Sequence, residues 1–203
     1  QRRKTLLQYD DVMNTQREVI YGERYKVLNG ENLKSHILNM IDAVAGRIVD
    51  RYCSDETPPD DWDLSGMIAY AEENMIPKGS VRLEEIDLET VTTKSLKEML
   101  RNKAREIYEQ KEAEFGEEIM RELERRVLLK VVDEKWMDHI DAMDQLKYGI
   151  GLRAYAQKDP VIEYKREGYE MFEEMIGNIQ QDTVKILLRI RKENIVIQRQ
   201  QVA

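Results

Sequence analysis

The side chains best equipped for chemistry in this chain are its two histidines and one cysteine, set among forty carboxylates. Three of those carboxylates surround one histidine, His139, on a predicted helix: Asp138, Asp141 and Asp144. Carboxylate–histidine metal sites in helical bundles place Glu three residues before the histidine. Trp136 stands there instead, and the other histidine also lacks that glutamate. We therefore interpret the surroundings of His139 as a solvated acidic helix face and expect no metal.

Sequence signals for nucleotide or nucleophile chemistry are also missing. The sequence contains neither the GxxxxGK[ST] loop nor the GxGxxG turn that cradles phosphates. Its one cysteine, Cys53, excludes an internal disulfide and a multi-cysteine zinc site, and a reducing compartment is its natural setting. Because Cys53 lies near an apolar helix end, we expect a packed hydrophobe there. We predict no enzymatic activity and no cofactor for this chain.

The charge of the chain is negative overall but unevenly distributed. A net charge of −8 argues against general nucleic-acid binding, which needs a basic face. Residues 54–90 carry eleven acidic and two basic side chains, whereas residues 145–166 carry five basic and two acidic ones. The second stretch could meet acidic loops of a partner protein or anionic lipid headgroups. An ordinary solvated helix end is the alternative that charge alone leaves open.

Two long amphipathic helices flank this basic stretch. Apolar residues recur at mostly helical spacing from Ile119 to Ile150 and again from Val161 to Ile190. Glycines at 149 and 151 are predicted to end the first helix, and Asp159-Pro160 supplies an N-cap and a first position for the second. The pattern predicts two antiparallel helices joined by an exposed loop. That loop is expected to hold Leu152, Arg153, Tyr155, Gln157 and Lys158.

The rest of the sequence also reads as helix. A first helix is interrupted at Asn29-Gly30, a second runs to about Cys53, a short one covers residues 64–71, and another runs from about Thr93 to Gly116. No strand-like alternation is present, so the predicted fold class is all-α. No apolar stretch reaches the roughly 20 residues that cross a bilayer. Because the chain opens on Gln1 inside a predicted helix, we expect a segment of a longer protein.

Three stretches resemble the SecA family, the motor ATPases of bacterial preprotein export. Residues 152–160 (LRAYAQKDP), followed by residues 163–167 (EYKRE) and Met171-Phe172, resemble the tip of the family's two-helix finger. Residues 136–144 (WMDHIDAMD) are similar to the finger's first helix, and residues 7–17 (LQYDDVMNTQR) to the start of the family's long scaffold helix. The stretches occur in the family's order at both ends of the chain.

The resemblance implies a long scaffold helix packed with an antiparallel two-helix finger, plus a small helical wing domain. The implied boundaries are residues 1–53 for the long N-terminal scaffold helix, 54–118 for the wing, and 119–203 for the finger and C-terminal scaffold helix. The wing assignment depends on position and acidity alone. The family's nucleotide-binding domains would precede this region, so its ATPase activity does not carry over to this chain.

The resemblance further implies a part in protein transport. The expected partners are an unfolded preprotein, the SecYEG channel and the SecA nucleotide-binding domains, with a cytoplasmic location and peripheral association with the inner face of the plasma membrane. Tyr155 occupies the position of the family's loop tyrosine, which contacts the translocating chain. A tyrosine ring can contact many different side chains through its large apolar surface and through hydrogen bonds of its hydroxyl, so this contact needs no dedicated pocket. Leu152, Arg153, Gln157 and Lys158 flank it and would engage substrate or channel loops.

A second implied surface lies on the first helix, which in the family packs against the nucleotide-binding domains while the finger restrains their activity. The candidate docking residues are Tyr9, Asp10, Asp11 and Arg17. For Tyr9, packing inside the chain against the finger helices is an equal alternative. For the chain as a whole, the alternatives are a free-standing helical interaction or adaptor module and, disfavoured by ligand spacing, a metal-dependent bundle enzyme.

Overall fold

A computed structural model describes residues 2–30, 33–153 and 159–193 of the chain. These residues form six α-helices in the order α1 (Arg2–Leu28), α2 (Leu33–Tyr52), α3 (Leu64–Asn74), α4 (Thr93–Phe115), α5 (Glu117–Arg153) and α6 (Pro160–Arg189). Single turns of 3-10 helix at Pro59–Asp61 and Leu83–Glu85 flank α3, and the described ranges contain no strand. The predicted all-α fold class is confirmed. Across the same residues, no helix is both long and apolar enough to cross a membrane.

Local chemistry sets the limits of α4. Thr92 accepts a hydrogen bond from the Ser95 amide at 3.0 Å, and Ser95 Oγ accepts one from the Thr92 amide at 2.9 Å, which together form a capping box. Gly116 ends the helix with a φ of +86°, a backbone conformation that is strained for any residue with a side chain. The chain therefore breaks between α4 and α5 where the sequence predicted.

The chain divides into two compact units, each formed by two separate stretches of sequence. One unit lies within residues 1–31 and 128–179, and the other within residues 32–127 and 180–203. The boundary at 127/128 falls inside α5, and the boundary at 179/180 falls inside α6. The predicted three-domain division at residues 53 and 118 stays a prediction.

In the second unit, α2 packs against both α4 and α3. Its core is apolar and fully enclosed, with Ile37, Ile41, Val44, Met67, Leu96 and Leu100 among its members. Side chains from two other helices hold α3 in place: the Arg51 guanidinium stacks 4.5 Å over the Tyr70 ring, and Arg189 donates to the Glu72 and Glu73 carbonyls at the end of α3. Cys53 is buried, with its sulfur 3.9 Å from Met67 Sδ, as expected for a packed hydrophobe.

A buried polar network crosses the break between α4 and α5. The Tyr108 hydroxyl donates to Glu124, whose side chain is fully buried. Arg121 forms ion pairs with Glu124, at 3.0 Å, and with Glu112. Glu112 also forms an ion pair with Lys34 Nζ at 2.6 Å. Burial raises the pKa of Glu124 despite the neighbouring Arg121. This linked set of ion pairs ties α2, α4 and α5 together.

The first unit contains α1, the part of α5 from Leu128 and the part of α6 up to Ile179. One of its buried clusters joins all three helices through Tyr9, Met143, Ile150 and Tyr164. Partly buried apolar residues pack around this cluster: Val12, Met13, Leu146, Val161 and Met171.

Three sequence predictions about α5 and α6 were wrong in detail. The glycines at 149 and 151 do not end α5, which continues to Arg153. On the predicted stripes, Ile119 and Ile186 are exposed, while their neighbours Met120 and Leu187 are buried. The predicted apolar stripe on α6 extended to Ile190, but the helix ends one residue earlier, at Arg189. Helical spacing alone did not determine which of two adjacent apolar residues faces the core on each helix.

Candidate functional site

The first unit presents α5 and α6 as an antiparallel pair. The rings of His139 and Phe172 lie 5.8 Å apart, Met143 contacts the helix backbone at Gly168, and Ile150 and Tyr164 share one buried cluster. The residue number rises along α5 as it falls along α6, so the two helices run in opposite directions. The predicted helical hairpin is confirmed.

The start of α6 has the geometry that the sequence predicted. Asp159 Oδ1 accepts a hydrogen bond from the Val161 amide at 2.9 Å, and Asp159 O accepts one from the Glu163 amide at 3.1 Å. Pro160 occupies the first helical position, where its missing N–H removes no helix bond. Asp159 therefore caps α6, and Glu163 places a further negative charge in the first turn, where the helix dipole favours it.

The end of α5 differs from the prediction. Leu152 and Arg153 belong to the last helical turn and not to a loop. Leu152 is 63% exposed. Arg153 donates two hydrogen bonds to one carboxylate on α6, with Nη1 at 2.8 Å from Glu167 Oε1 and Nη2 at 3.2 Å from Glu167 Oε2. The helix continues past its glycines because Ile150, between them, is buried against the core cluster.

Three of the predicted contact residues, Tyr155, Gln157 and Lys158, lie outside the residues that the structure describes. Their assigned role stays a prediction. The other two predicted contact residues, Leu152 and Arg153, lie at the end of α5. The described part of the site is thus a pair of helix ends, one exposed and apolar at Leu152 and one capped.

Behind this tip, Tyr9 from α1 packs into the hairpin. It is 8% exposed and meets Tyr164 edge to face, with ring centroids 4.8 Å apart and an interplanar angle of 75°. Lys147 Nζ lies 5.2 Å from the Tyr9 ring centroid. Burial, together with the nearby carboxylate of Asp144, raises the pKa of Tyr164 to about 12. Both tyrosines therefore act as uncharged packing groups that brace the hairpin from α1.

The other predicted docking residues lie on the outside of α1. The side chains of Asp10 and Asp11 face solvent, and Arg17 Nη1 donates to Asn14 Oδ1 at 3.1 Å. Tyr9, by contrast, is turned inward, in agreement with the alternative given for it above. A docking surface on α1 would therefore consist of the charged residues without the tyrosine ring.

A buried polar link between the three helices was missed by sequence reasoning. Gln16 on α1 lies between α5 and α6, with Oε1 at 2.7 Å from His139 Nε2 and Nε2 donating to the Gly168 carbonyl at 3.2 Å. Because the Gln16 amide nitrogen donates to Gly168, its oxygen must accept, so His139 Nε2 carries the hydrogen. A signal was available, since Gln16 falls between Tyr9 and Ile20 on the buried face of α1.

The interpretation of His139 as part of a solvated face was wrong. Asp138, Asp141 and Asp144 do face solvent, but the imidazole is 5% exposed and lies between Trp136 and Phe172. Burial lowers the pKa of His139. The same helix therefore carries carboxylates on one side and a neutral, hydrogen-bonded histidine on the other.

A shallow groove between α1 and α5 was also not anticipated. Its volume is about 530 Å³. Apolar and aromatic side chains line it, among them Ile20, Tyr21, Tyr25, Leu28, Trp136 and Met137. Arg24 and Asp133 form an ion pair across the groove, in which Arg24 Nε lies 3.0 Å from Asp133 Oδ1 and Arg24 Nη2 lies 3.3 Å from Asp133 Oδ2. Tyr21, Tyr25 and Met137 are each more than half exposed, so this end of α1 presents an apolar outer face as well as a buried one.

Comparison with known proteins places these features in context. A family profile described as "SecA Wing and Scaffold domain" matches residues 1–191. The chain is 53% identical over 202 residues to "Protein translocase subunit SecA" of Acetivibrio thermocellus, covering 99% of this chain and 22% of that protein. The subunit of the same name from Desulforamulus reducens is 53% identical over 188 residues, covering 93% of this chain and 21% of that protein. That from Pelotomaculum thermopropionicum is 50% identical over 199 residues, covering 98% and 22%. The chain thus spans about a fifth of the length of these curated relatives.

Proposed function

Because this chain belongs to the SecA Wing and Scaffold domain family, we propose that it is a non-catalytic helical part of a protein-translocation motor. It couples the nucleotide-driven motion of the other domains to the movement of an unfolded preprotein into the SecYEG channel. The relatives' name as translocase subunits and the family match over residues 1–191 support this role. ATP hydrolysis belongs to the nucleotide-binding domains and requires no cofactor in this chain.

The tip of the α5–α6 hairpin is the proposed contact with the moving polypeptide. The observation that carries this proposal is the antiparallel pair itself, which ends in an exposed Leu152 on α5 and the N-cap residue Asp159 on α6. The segment between them contains Tyr155, Gln157 and Lys158, whose aromatic, amide and cationic groups suit sequence-tolerant contact. A rigid pair of helices braced by Tyr9 would transmit force to such a contact, which a flexible loop could not do.

The outer surface of α1 is the proposed docking site for the nucleotide-binding domains. Asp10 and Asp11 provide adjacent exposed carboxylates, and Arg17 adds a cation two turns along the helix. Tyr9 contributes from within, since its ring joins α1 to α5 and α6. Binding at α1 would therefore act on the helix that braces the finger, which gives a physical route for the finger to restrain ATP hydrolysis. We further propose peripheral association with the cytoplasmic face of the membrane.

The proposed contact at the tip is tested by changing Tyr155 in a complete translocase. A suitable background is the A. thermocellus subunit in which this chain replaces the matching segment. Tyr155→Ala should lower the rate of preprotein transport by about tenfold, the scale for truncating an aromatic anchor, and should lower ATP hydrolysis less. Tyr155→Phe keeps most of the contact area and should retain most transport.

The matched control is Tyr169→Ala, which removes a tyrosine that is 62% exposed on α6 outside the tip segment. It should leave transport within about twofold of the unaltered protein, as is usual for surface substitutions. Unchanged transport in Tyr155→Ala would remove the proposed contact and favour an adaptor module whose hairpin binds another partner.

A further inference from the structure

Arg153 has a geometry that distinguishes it from the other residues predicted to touch the polypeptide. It is the last residue of α5, and its guanidinium grips both oxygens of Glu167 on α6 at 2.8 and 3.2 Å. The fork of an arginine matches a carboxylate in this two-bond arrangement, so the pair fixes orientation as well as distance. Arg153 therefore joins the end of α5 to a residue about two turns into α6.

The Arg153 side chain extends away from the tip. Ile150 and Tyr164 share one buried cluster and Met143 lies beside Gly168, which places Arg153 level with the first turn of α6. Glu167 lies seven residues after Pro160, which at 1.5 Å per residue is roughly 10 Å further from the tip. Side chains on a helix lean toward their own N-terminus, so Arg153 leans toward the base and Glu167 leans toward the tip. The two groups meet along the side of the hairpin.

Glu167 is held in this position by its neighbours on α6. Arg166 lies 3.7 Å from Glu167 and also pairs with Glu163 at 2.8 Å and Glu170 at 3.5 Å. The Glu167 side chain is only 24% exposed, against 57% for Arg153. The carboxylate that receives Arg153 is therefore more enclosed and better fixed than the arginine that reaches it.

Resting on the proposed function of the tip, we propose that Arg153 is a positioning residue that acts through Glu167 and does not contact the preprotein or the channel. The pair holds the last turn of α5 in helical form, although two glycines weaken that turn. A positive charge at the C-terminus of α5 is also favoured by the helix dipole. The pair thereby fixes Leu152 and the point from which residues 154–158 depart.

A charge exchange in the complete translocase tests this assignment. Arg153→Glu and Glu167→Arg should each lower transport by about two- to fivefold, the range that corresponds to the coupling of an exposed ion pair. The double exchange restores an ion pair with reversed polarity and should recover transport to within about twofold of the unaltered protein. Arg153→Lys keeps the charge but loses the fork and should show a partial loss.

Two further measurements separate positioning from stability and from contact. Helix content and melting temperature identify a variant that fails to fold. If a charge reversal fails in this way, Arg153→Lys still tests whether the two-bond contact of the guanidinium with Glu167 is needed. The yield of cross-links from a photoreactive residue at 155 should fall in each single reversal and return in the double exchange. Lys165→Gln is the matched control, because it removes an exposed cation on the same helix as Glu167 while leaving Arg153, Arg166 and Glu167 intact, and it should leave both readouts near their original values.

The assignment is overturned if the double exchange stays as impaired as Arg153→Glu, since a cation needed for contact cannot be supplied from position 167. It is also overturned if Glu167→Arg has no effect. Neither result depends on whether Tyr155 itself touches the preprotein, because cross-linking from 155 in the unaltered protein tests that contact separately.

Discussion

Gln16 and His139 are joined by a buried 2.7 Å contact that links α1 to the first helix of the hairpin. The same Gln16 side chain binds the Gly168 carbonyl on the second helix, so one amide connects all three helices of the unit. An ideal Cβ at Gly168 would lie 2.6 Å from Met143 Cε, so the helices approach closely beside this amide. Hydrogen bonds in a buried site are costly to break. Gln16 therefore helps to fix the position of α1 against α5 and α6.

We expect Gln16→Leu to destabilise the chain by about 1–3 kcal/mol, because it leaves a buried imidazole N–H and a backbone carbonyl without their partner. Urea unfolding of the purified chain, followed by circular dichroism, measures this change. Gln8→Leu is the matched control, since Gln8 is an exposed glutamine on the same helix. Equal stability of the Gln16 and Gln8 variants would show that the link contributes nothing.

The pKa of His139 should lie below its ordinary value of 6.5, because burial disfavours the imidazolium. As the pH falls, the unfolded chain takes up this proton before the folded chain does. The contribution of His139 to stability is therefore complete above about pH 6.5 and is lost as the pH falls below it. NMR titration of the imidazole in a His36→Gln background, which leaves one histidine, measures the pKa directly. A value at or above 6.5 would contradict the buried, neutral ring.

Alanine at Gly149 or Gly151 should stabilise the chain by up to about 1 kcal/mol, because both glycines lie inside a continuous helix and alanine is the better helix former. A Cβ at either position meets nothing within 4 Å. Gly116→Ala is the opposite control, since its φ of +86° strains any side chain. Thermal unfolding compares the three variants. Destabilisation at both 149 and 151 would mean that these glycines do end the helix.

Adding the purified chain to a separately produced nucleotide-binding core should lower its rate of ATP hydrolysis, as expected if α1 docks on that core. Asp10→Lys combined with Asp11→Lys should weaken this inhibition, because two exposed carboxylates on α1 are reversed. Glu174→Lys reverses an exposed charge on α6 and serves as the control. An absence of binding at micromolar concentrations of both proteins would remove the docking proposal.

Local sequence signals predicted the helix limits that depend on caps and turns. Asp159-Pro160 marked the start of α6, and Gly116 marked the break after α4, because each acts through its own backbone geometry. The end of α5 was not predictable in this way. There, burial of Ile150 outweighs the weak helix propensity of the glycines on either side of it.

The buried positions of His139 and Tyr9 were not predicted from their neighbours in the sequence. His139 was assigned to a solvated face because its sequence neighbours are aspartates, yet the ring turns to the opposite side of the helix. Tyr9 was offered as a docking residue and lies against Tyr164. In both cases the deciding partner, Gln16 for His139 and Tyr164 for Tyr9, is more than 120 residues away in the sequence. Spacing within one helix carries no information about such partners.

The central proposal is that the tip of the α5–α6 hairpin presses on the polypeptide being moved. Site-specific photocross-linking in the complete translocase tests it most directly, with the photoreactive residue at position 155 and, as a control, at exposed position 169 on α6. During transport, position 155 should form cross-links to the preprotein that depend on ATP, and position 169 should form few. Cross-links to the preprotein that are equally frequent from both positions, or absent from position 155, would contradict the account.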